Sequence, residues 1–251
     1  MSSSRTRIGL VILALAVLVA ACDEPRDVRT ETQTVALEGA ARAEVGLHMN
    51  AGELKVRGAD QEALLEASFE YNRDRDRPVV DYRRFGDKGT LQVRRSRRNS
   101  IPFGRVRNRW DINLSKAVPL DLAIDLGAGQ SDIDLRGLKL QRVEIDMGVG
   151  EMTLDLQGPH QESFNVKIDG GVGSGKITLP SEVGVRVKVD GGIGSVDARG
   201  LTKQGGAYVN EAYGRSAVAI EVDIDAGIGR LDLRLGAESS KRPAELRRSG
   251  S

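Results

Sequence analysis

Ile124-Asp125-Leu126-Gly127-Ala128-Gly129 decides the fold, because the chain repeats it. It returns as Ile145-Asp146-Met147-Gly148-Val149-Gly150, Ile168-Asp169-Gly170-Gly171-Val172-Gly173, Val189-Asp190-Gly191-Gly192-Ile193-Gly194 and Ile224-Asp225-Ala226-Gly227-Ile228-Gly229. The aspartates are 21, 23, 21 and 35 residues apart, so the last interval carries an insertion. Met49-Asn50-Ala51-Gly52 reads as a degenerate earlier copy. Apolar residues alternate before each motif, as in Val143, Ile145 and Met147, and again after it, as in Met152, Leu154 and Leu156. Period two on both sides of a glycine cluster predicts strand, turn, strand. A unit this short cannot bury its own apolar face, whereas successive copies stacked about 4.8 Å apart share a continuous core. An antiparallel sandwich competes, but it has no need of the same turn at the same offset in every copy. The expected fold is therefore all-β, a single-domain parallel β-solenoid. Its glycines would serve corners that need positive φ or close backbone approach.

Outward from the repeats, residues 32–118 read as a less regular β region, with strands at Thr34 to Leu37, Glu44 to Met49, Leu54 to Arg57, Val79 to Arg83, Thr90 to Arg94 and Trp110 to Leu114. Gln61 to Tyr71 has helical composition, but Leu65, Ala67, Phe69 and Tyr71 share one face at period two, which predicts a strand. The repeat coils occupy 119–236. Their insertion, 201–217, is expected to be a loop or hairpin displaying Tyr208 and Tyr213, and 237–251 reads as a disordered polar tail.

Residues 1–21 read as a leader: Arg5 and Arg7, then the apolar run Ile8 to Leu18, then Val19-Ala20-Ala21 before Cys22. That run is too short for a spanning helix of about 20 apolar residues. The linker 22–31 that follows is polar. Val19-Ala20-Ala21-Cys22 resembles the lipobox of bacterial lipoproteins, which implies that Cys22 becomes the first mature residue and is lipidated. The alternative is an ordinary signal peptide with a chance cysteine. Cys22 is the only cysteine, so no intramolecular disulfide can form. Several acyl chains give stable anchoring where one gives marginal binding, so a tethered protein is expected. In a Gram-negative host, Asp23 after the cysteine resembles the signal that retains a lipoprotein in the inner membrane. The expected location is the cell membrane, facing the periplasm or the exterior.

Composition narrows the function. Thirty glycines stand against four Phe, four Tyr and one Trp, which describes a turn-rich chain without the aromatic lining of a deep ligand cleft. Residues 119–235 hold 12 Lys plus Arg against 18 Asp plus Glu. Asp125, Asp146, Asp169, Asp190 and Asp225 are expected to stack in one outward row. Each would accept N–H bonds from its own glycine turn. A Ca²⁺ ladder, in a solenoid acting on or adhering to polysaccharide, is the sharper alternative, but the motif lacks the second carboxylate of the calcium-binding repeat. Gly170 to Lys176 nearly spells a phosphate-binding loop, yet Ile177 replaces the hydroxyl residue and a strand replaces the helix. His48 and His160 are the only histidines, and no G-x-S-x-G occurs, so metal and serine-hydrolase chemistry have little support. Neither catalysis nor a cofactor is expected. Arg94, Arg95, Arg97, Arg98, Arg105, Arg107 and Arg109, ending in Trp110, form the densest cationic run. On an exported protein this run suits an anionic lipid or cell-wall polymer better than nucleic acid. The competing account is a solvated hairpin whose arginines protect an edge strand.

The N-terminal strand region, the step from Trp110-Asp-Ile112-Asn-Leu114 into Leu122 to Gly129, and the stacked Asp-x-Gly-x-Gly coils resemble the toast-rack domains of bacterial envelope proteins and the related adhesin-like β-solenoids. The likeness covers about residues 35–235. It implies a non-catalytic extracytoplasmic solenoid acting as a structural, interaction or envelope-sensing module. Partners would be the membrane, through the anchor, and an envelope protein or cell-wall polymer. The family offers no catalytic residues to carry over.

Overall fold

Each repeat is one long strand bent in its middle. The computed structural model describes residues 28–95 and 107–236. Its strands are β1 (Arg29–Ala36), β2 (Arg42–Ala59), β3 (Ala63–Tyr71), β4 (Pro78–Phe85), β5 (Lys88–Arg95), β6 (Asn108–Ser115), β7 (Pro119–Asp134), β8 (Lys139–Asp155), β9 (Phe164–Leu179), β10 (Gly184–Arg199), β11 (Thr202–Gln204), β12 (Ala207–Val209) and β13 (Ala219–Leu235). The sequence pattern predicts a turn at each Gly-x-Gly, but backbone pairing lapses there for one residue only and resumes with Ala128 opposite Val149 and Gly129 opposite Gly150. The corner is thus a fold line across a continuous sheet. The alternating apolar residues of both arms, such as Val143 and Ile145 before the corner and Leu154 and Leu156 after it, fill a single core cluster. Burying such a side chain contributes about 1.5–3 kcal/mol, a gain available only when neighbouring rungs cover it.

The fold line exists because glycine occupies it. A Cβ on Gly150 would lie 1.8 Å from the carbonyl oxygen of Gly129, and one on Gly173 would lie 1.9 Å from that of Gly150. Gly129 and Gly150 also have φ of 138° and 153°, which side-chain-bearing residues rarely adopt. Met49-Asn50-Ala51-Gly52 is the first true rung, since Gly52 pairs with Gly129. At β2 the sheet forks. Its first arm is also flanked by β5 and then β4, and its second arm by β6, β3 and β1. Gln61 to Tyr71 contains β3, as its period-two face predicts. Phe69 and Trp110 meet edge to face at 5.5 Å where β3 and β6 pair.

One expectation about the stack is corrected. Successive copies were expected to stack in chain order, but the parallel rungs run β2, β7, β8, β9, β13, β10, so the last copy lies between the two before it. The long final interval makes this return feasible, and surface charge favours it. In chain order Lys167 would sit beside Lys188. Instead Asp223 pairs in register with both. One position pair earlier, Glu221 accepts a hydrogen bond from Arg186 at 3.0 Å. Two lysines on adjacent rungs, about 4.8 Å apart, would repel by roughly 0.9 kcal/mol even in water.

The insertion forms the β11–β12 hairpin, whose β12 pairs with the first arm of β10. It does not display its tyrosines. Tyr208 packs against the core, and Tyr213 donates to Glu221 at 3.0 Å, because the hairpin folds back over the stack. Two buried asparagines tie backbone groups beside the stack. Asn108 donates to the Ala51 carbonyl at 2.7 Å beside the first corner, and Asn210 donates to Val183 while accepting from the Val185 N–H. Among the described residues, the second arm of β10 has β13 on one side and no strand on the other, where Val196 is 38% exposed.

Gly150→Ala should lower Tm by on the order of 10 °C or prevent folding, because it combines backbone collision with a strained φ. Gly170→Ala, whose Cβ would meet nothing within 4 Å, should not. Thermal circular dichroism distinguishes the two. The double variant Glu221→Lys/Asp223→Lys should lose about 3–6 °C, with part of the loss recovered in high salt.

Candidate functional site

The outward aspartates do form a row. Register places them in the order Asp125, Asp146, Asp169, Asp225, Asp190, with His48 ahead of Asp125 and its Nδ1 3.7 Å from the carboxylate. Among the described hydrogen bonds, none runs from a glycine N–H to these carboxylates, contrary to the expected capping by each turn. Lysines two residues earlier take that role: Lys167 donates to Asp169 at 2.7 Å, and Lys188 donates to Asp190. Asp146 has Glu144 at the corresponding position. Burial and the neighbouring Asp169 carboxylate, with a smaller contribution from Asp125, push the Asp146 carboxyl above its ordinary range.

Calcium takes about 6–8 oxygens. A row with one outward carboxylate per rung does not converge in that way, and among the described residues no group of three or more His, Cys, Asp or Glu is arranged to hold a metal.

The arginine segment is divided by the fork. Arg94 and Arg95 end β5, and Arg107 and Arg109 lie at the start of β6, on the other branch. Arg95 lies 3.8 Å from the buried Asp76, Arg107 pairs with Glu70 at 3.1 Å, and Arg109 approaches Glu53 at 3.7 Å. Glu70 and Glu53 come from β3 and β2, and Asp76 from the 3-10 turn Asp74–Asp76, so much of the described cationic charge is answered within the chain. Trp110 as a surface contact is corrected. It is 1% exposed, wedged against Phe69 in the core, and donates its indole N–H to Asn108 at 3.1 Å. Period two along β6 puts Trp110 on the inward face with Ile112 and Leu114. Arg97, Arg98, Arg105 and Cys22 lie outside the described residues.

Gly170 to Lys176 runs through the corner inside β9, where every residue but Gly171 pairs in the ladder to β8 and β13 and no phosphate-cradling loop forms. None of the described helices is long and apolar enough to cross a membrane.

The sequence reading missed a cavity of about 290 Å³ between the arms of β8, β9, β13 and β10, beside the corner. It was legible in principle. The inward position just before the corner carries Met49, Leu126 and Met147 on the first rungs, then Gly170, Ala226 and Gly191. Reading those glycines as part of the turn motif concealed the loss of core volume.

The family described as the N-terminal domain of toast_rack, DUF2154, matches residues 24–179, which end with β9. A solved structure of a candidate cell adhesion protein from Clostridium sporogenes is 29% identical and superposes with a TM-score of 0.78, covering 84% of this chain and 100% of that one. A candidate adhesin from Bacteroides fragilis is 10% identical with a TM-score of 0.32, over 83% of this chain and 97% of that one, too distant to bear on this chain. No curated protein matches.

Asp146→Asn tests the row. A carboxyl whose folded pKa is raised destabilises the native state above that pKa and costs nothing once protonated in both states. The substitution should therefore raise Tm at pH 7 by about 1–2 °C and leave it unchanged near pH 3.

Proposed function

Because this chain belongs to the family of toast-rack N-terminal domains, we propose that it is a lipid-anchored, extracytoplasmic β-solenoid that acts by adhesion or scaffolding and not by catalysis. The reading is carried by the match along the full length of the Clostridium sporogenes chain, a candidate cell adhesion protein. The solenoid is the whole of that chain, so an adhesive role for it would rest on the rungs themselves. The chemistry of the outer arms suits this role. Along the second arms, Arg136, Arg199 and Arg234 each fold back onto the aspartate two residues earlier, Asp134, Asp197 and Asp232. Such self-neutralised pairs make a stiff, regular and soluble face, as a repeat scaffold presenting an extended surface requires.

The anchor follows from the leader. Cleavage before Cys22 and acylation of its thiol would leave residues 23–28 as the tether to β1. The partner in this reading is a component of the cell envelope.

Expression of the full chain in a bacterium that processes lipoproteins tests the proposal. The wild type should incorporate radiolabelled palmitate and sediment with membranes, while Cys22→Ser should lose the label and become soluble with an unchanged Tm. The unacylated Cys22→Ser protein, immobilised on beads, should still retain envelope fragments of its own host. Labelling that survives Cys22→Ser would refute the anchor, and beads that retain nothing would refute the adhesive role.

A further inference from the structure

The cavity beside the corner is the feature that neither the fold nor the adhesive reading uses. On the first rungs this core column is filled by large apolar side chains: Met49 and Leu126 are 2% and 1% exposed, and Met147 follows them in register. On the next three rungs that column holds Gly170, Ala226 and Gly191. Across the corner, Gly175 takes the place that Met152 and Leu231 occupy on the flanking rungs. Small residues on adjacent rungs, on both sides of the fold line, leave one continuous space of about 290 Å³. A Cβ built on Gly170 meets nothing within 4 Å, so this glycine is not demanded by close approach as Gly129 and Gly150 are. Neither Gly170 nor Gly175 has a positive φ.

The walls are Met147, Met152, Ile168, Ile177, Ile224 and Leu231, with the glycine backbones at the fold line. The two methionines can repack around an occupant. The lining also carries charge. Lys203 and Arg230 are the cations among its lining residues, Lys203 standing 5.6 Å over the Tyr208 ring of the hairpin. Its one carboxylate, Asp190, is taken by Lys188. An apolar chamber near the lower end of the ligand-pocket range, with cationic groups in its lining, is complementary to a chain that is apolar along its length and anionic at one end.

We propose that the β9–β13–β10 end of the solenoid binds a single-chain anionic amphiphile, a fatty acid or a lipid-derived acyl carboxylate. Its hydrocarbon chain lies in the cavity against Met147 and Met152, and its carboxylate pairs with Arg230 and Lys203. The interposed rung β13 is necessary to this site, because it supplies Ala226, Leu231 and Arg230 together.

The experiment uses the mature chain carrying Cys22→Ser, so that no attached acyl group competes. Binding of the fluorescent fatty acid cis-parinarate is measured, followed by its displacement with decanoate, with decanol as the uncharged comparison. The wild type should bind, and decanoate should displace more effectively than decanol. Gly170→Met, which restores the side chain of the preceding rung, should weaken binding at least tenfold while raising Tm. Gly175→Ala, whose Cβ would lie 3.3 Å from Leu231 Cδ1, is a gentler second variant that should weaken binding in the same direction. Arg230→Gln/Lys203→Gln should weaken decanoate several-fold and leave decanol unchanged. A folded wild type that binds no probe overturns the proposal, as does a folded Gly170→Met that binds as well as the wild type. Equal displacement by decanol and decanoate would overturn the headgroup assignment.

Discussion

The structure depends on the contact between backbones at the fold line. Elsewhere the rungs are held at ordinary strand spacing by the ladder, but at the corner each carbonyl oxygen occupies the space where the next rung's Cβ would be, as between Gly129 and Gly150. No side chain fits between them. The sheet can therefore turn sharply without losing its pairing, and both arms of every rung bury their apolar faces in one core. Because the glycine column must stay in register, each rung is locked to its neighbours on both sides of the corner. The charge columns and the aspartate row follow from that registration.

Rung order shows how surface electrostatics act within this constraint. Any copy with a glycine corner can occupy any place in the stack as far as the corner is concerned, and the cores of β9, β10 and β13 are similar in kind. Side chains outside the core distinguish the arrangements. Glu221 and Asp223 are acidic where the flanking rungs carry Arg186, Lys167 and Lys188, and the hairpin that covers β10 also delivers Tyr213 to Glu221. Individually these exposed pairs are weak. Together they favour this order over the chain order.

Much of this was legible in the chain. The Gly-x-Gly period and the flanking alternation led to the parallel stack, the degenerate first rung at Met49 and the strand within Gln61 to Tyr71. The interposition of β13 was not legible in that way, because periodicity defines what a rung is and not where it goes. The signal lay in the unequal last interval and in the lysines at 167 and 188, which gain from an acidic neighbour. Trp110 was misplaced for another reason: a run of arginines drew it into a surface reading, although its alternation with Ile112 and Leu114 already set it inward. The cavity was hidden because Gly170 and Gly191 were counted as turn glycines when their register made them core positions.

The most direct test of this account is cysteine cross-linking across the corner in a Cys22→Ser background. Ser174 pairs in register with Arg230, and Arg230 with Ser195. Adjacent rungs about 4.8 Å apart fall within disulfide reach, and alternate rungs at about twice that distance do not. The account predicts that Ser174→Cys/Arg230→Cys oxidises readily under native conditions and that Ser174→Cys/Ser195→Cys stays reduced. The opposite result would mean that the copies stack in chain order, and would contradict both the rung order and the site built on it.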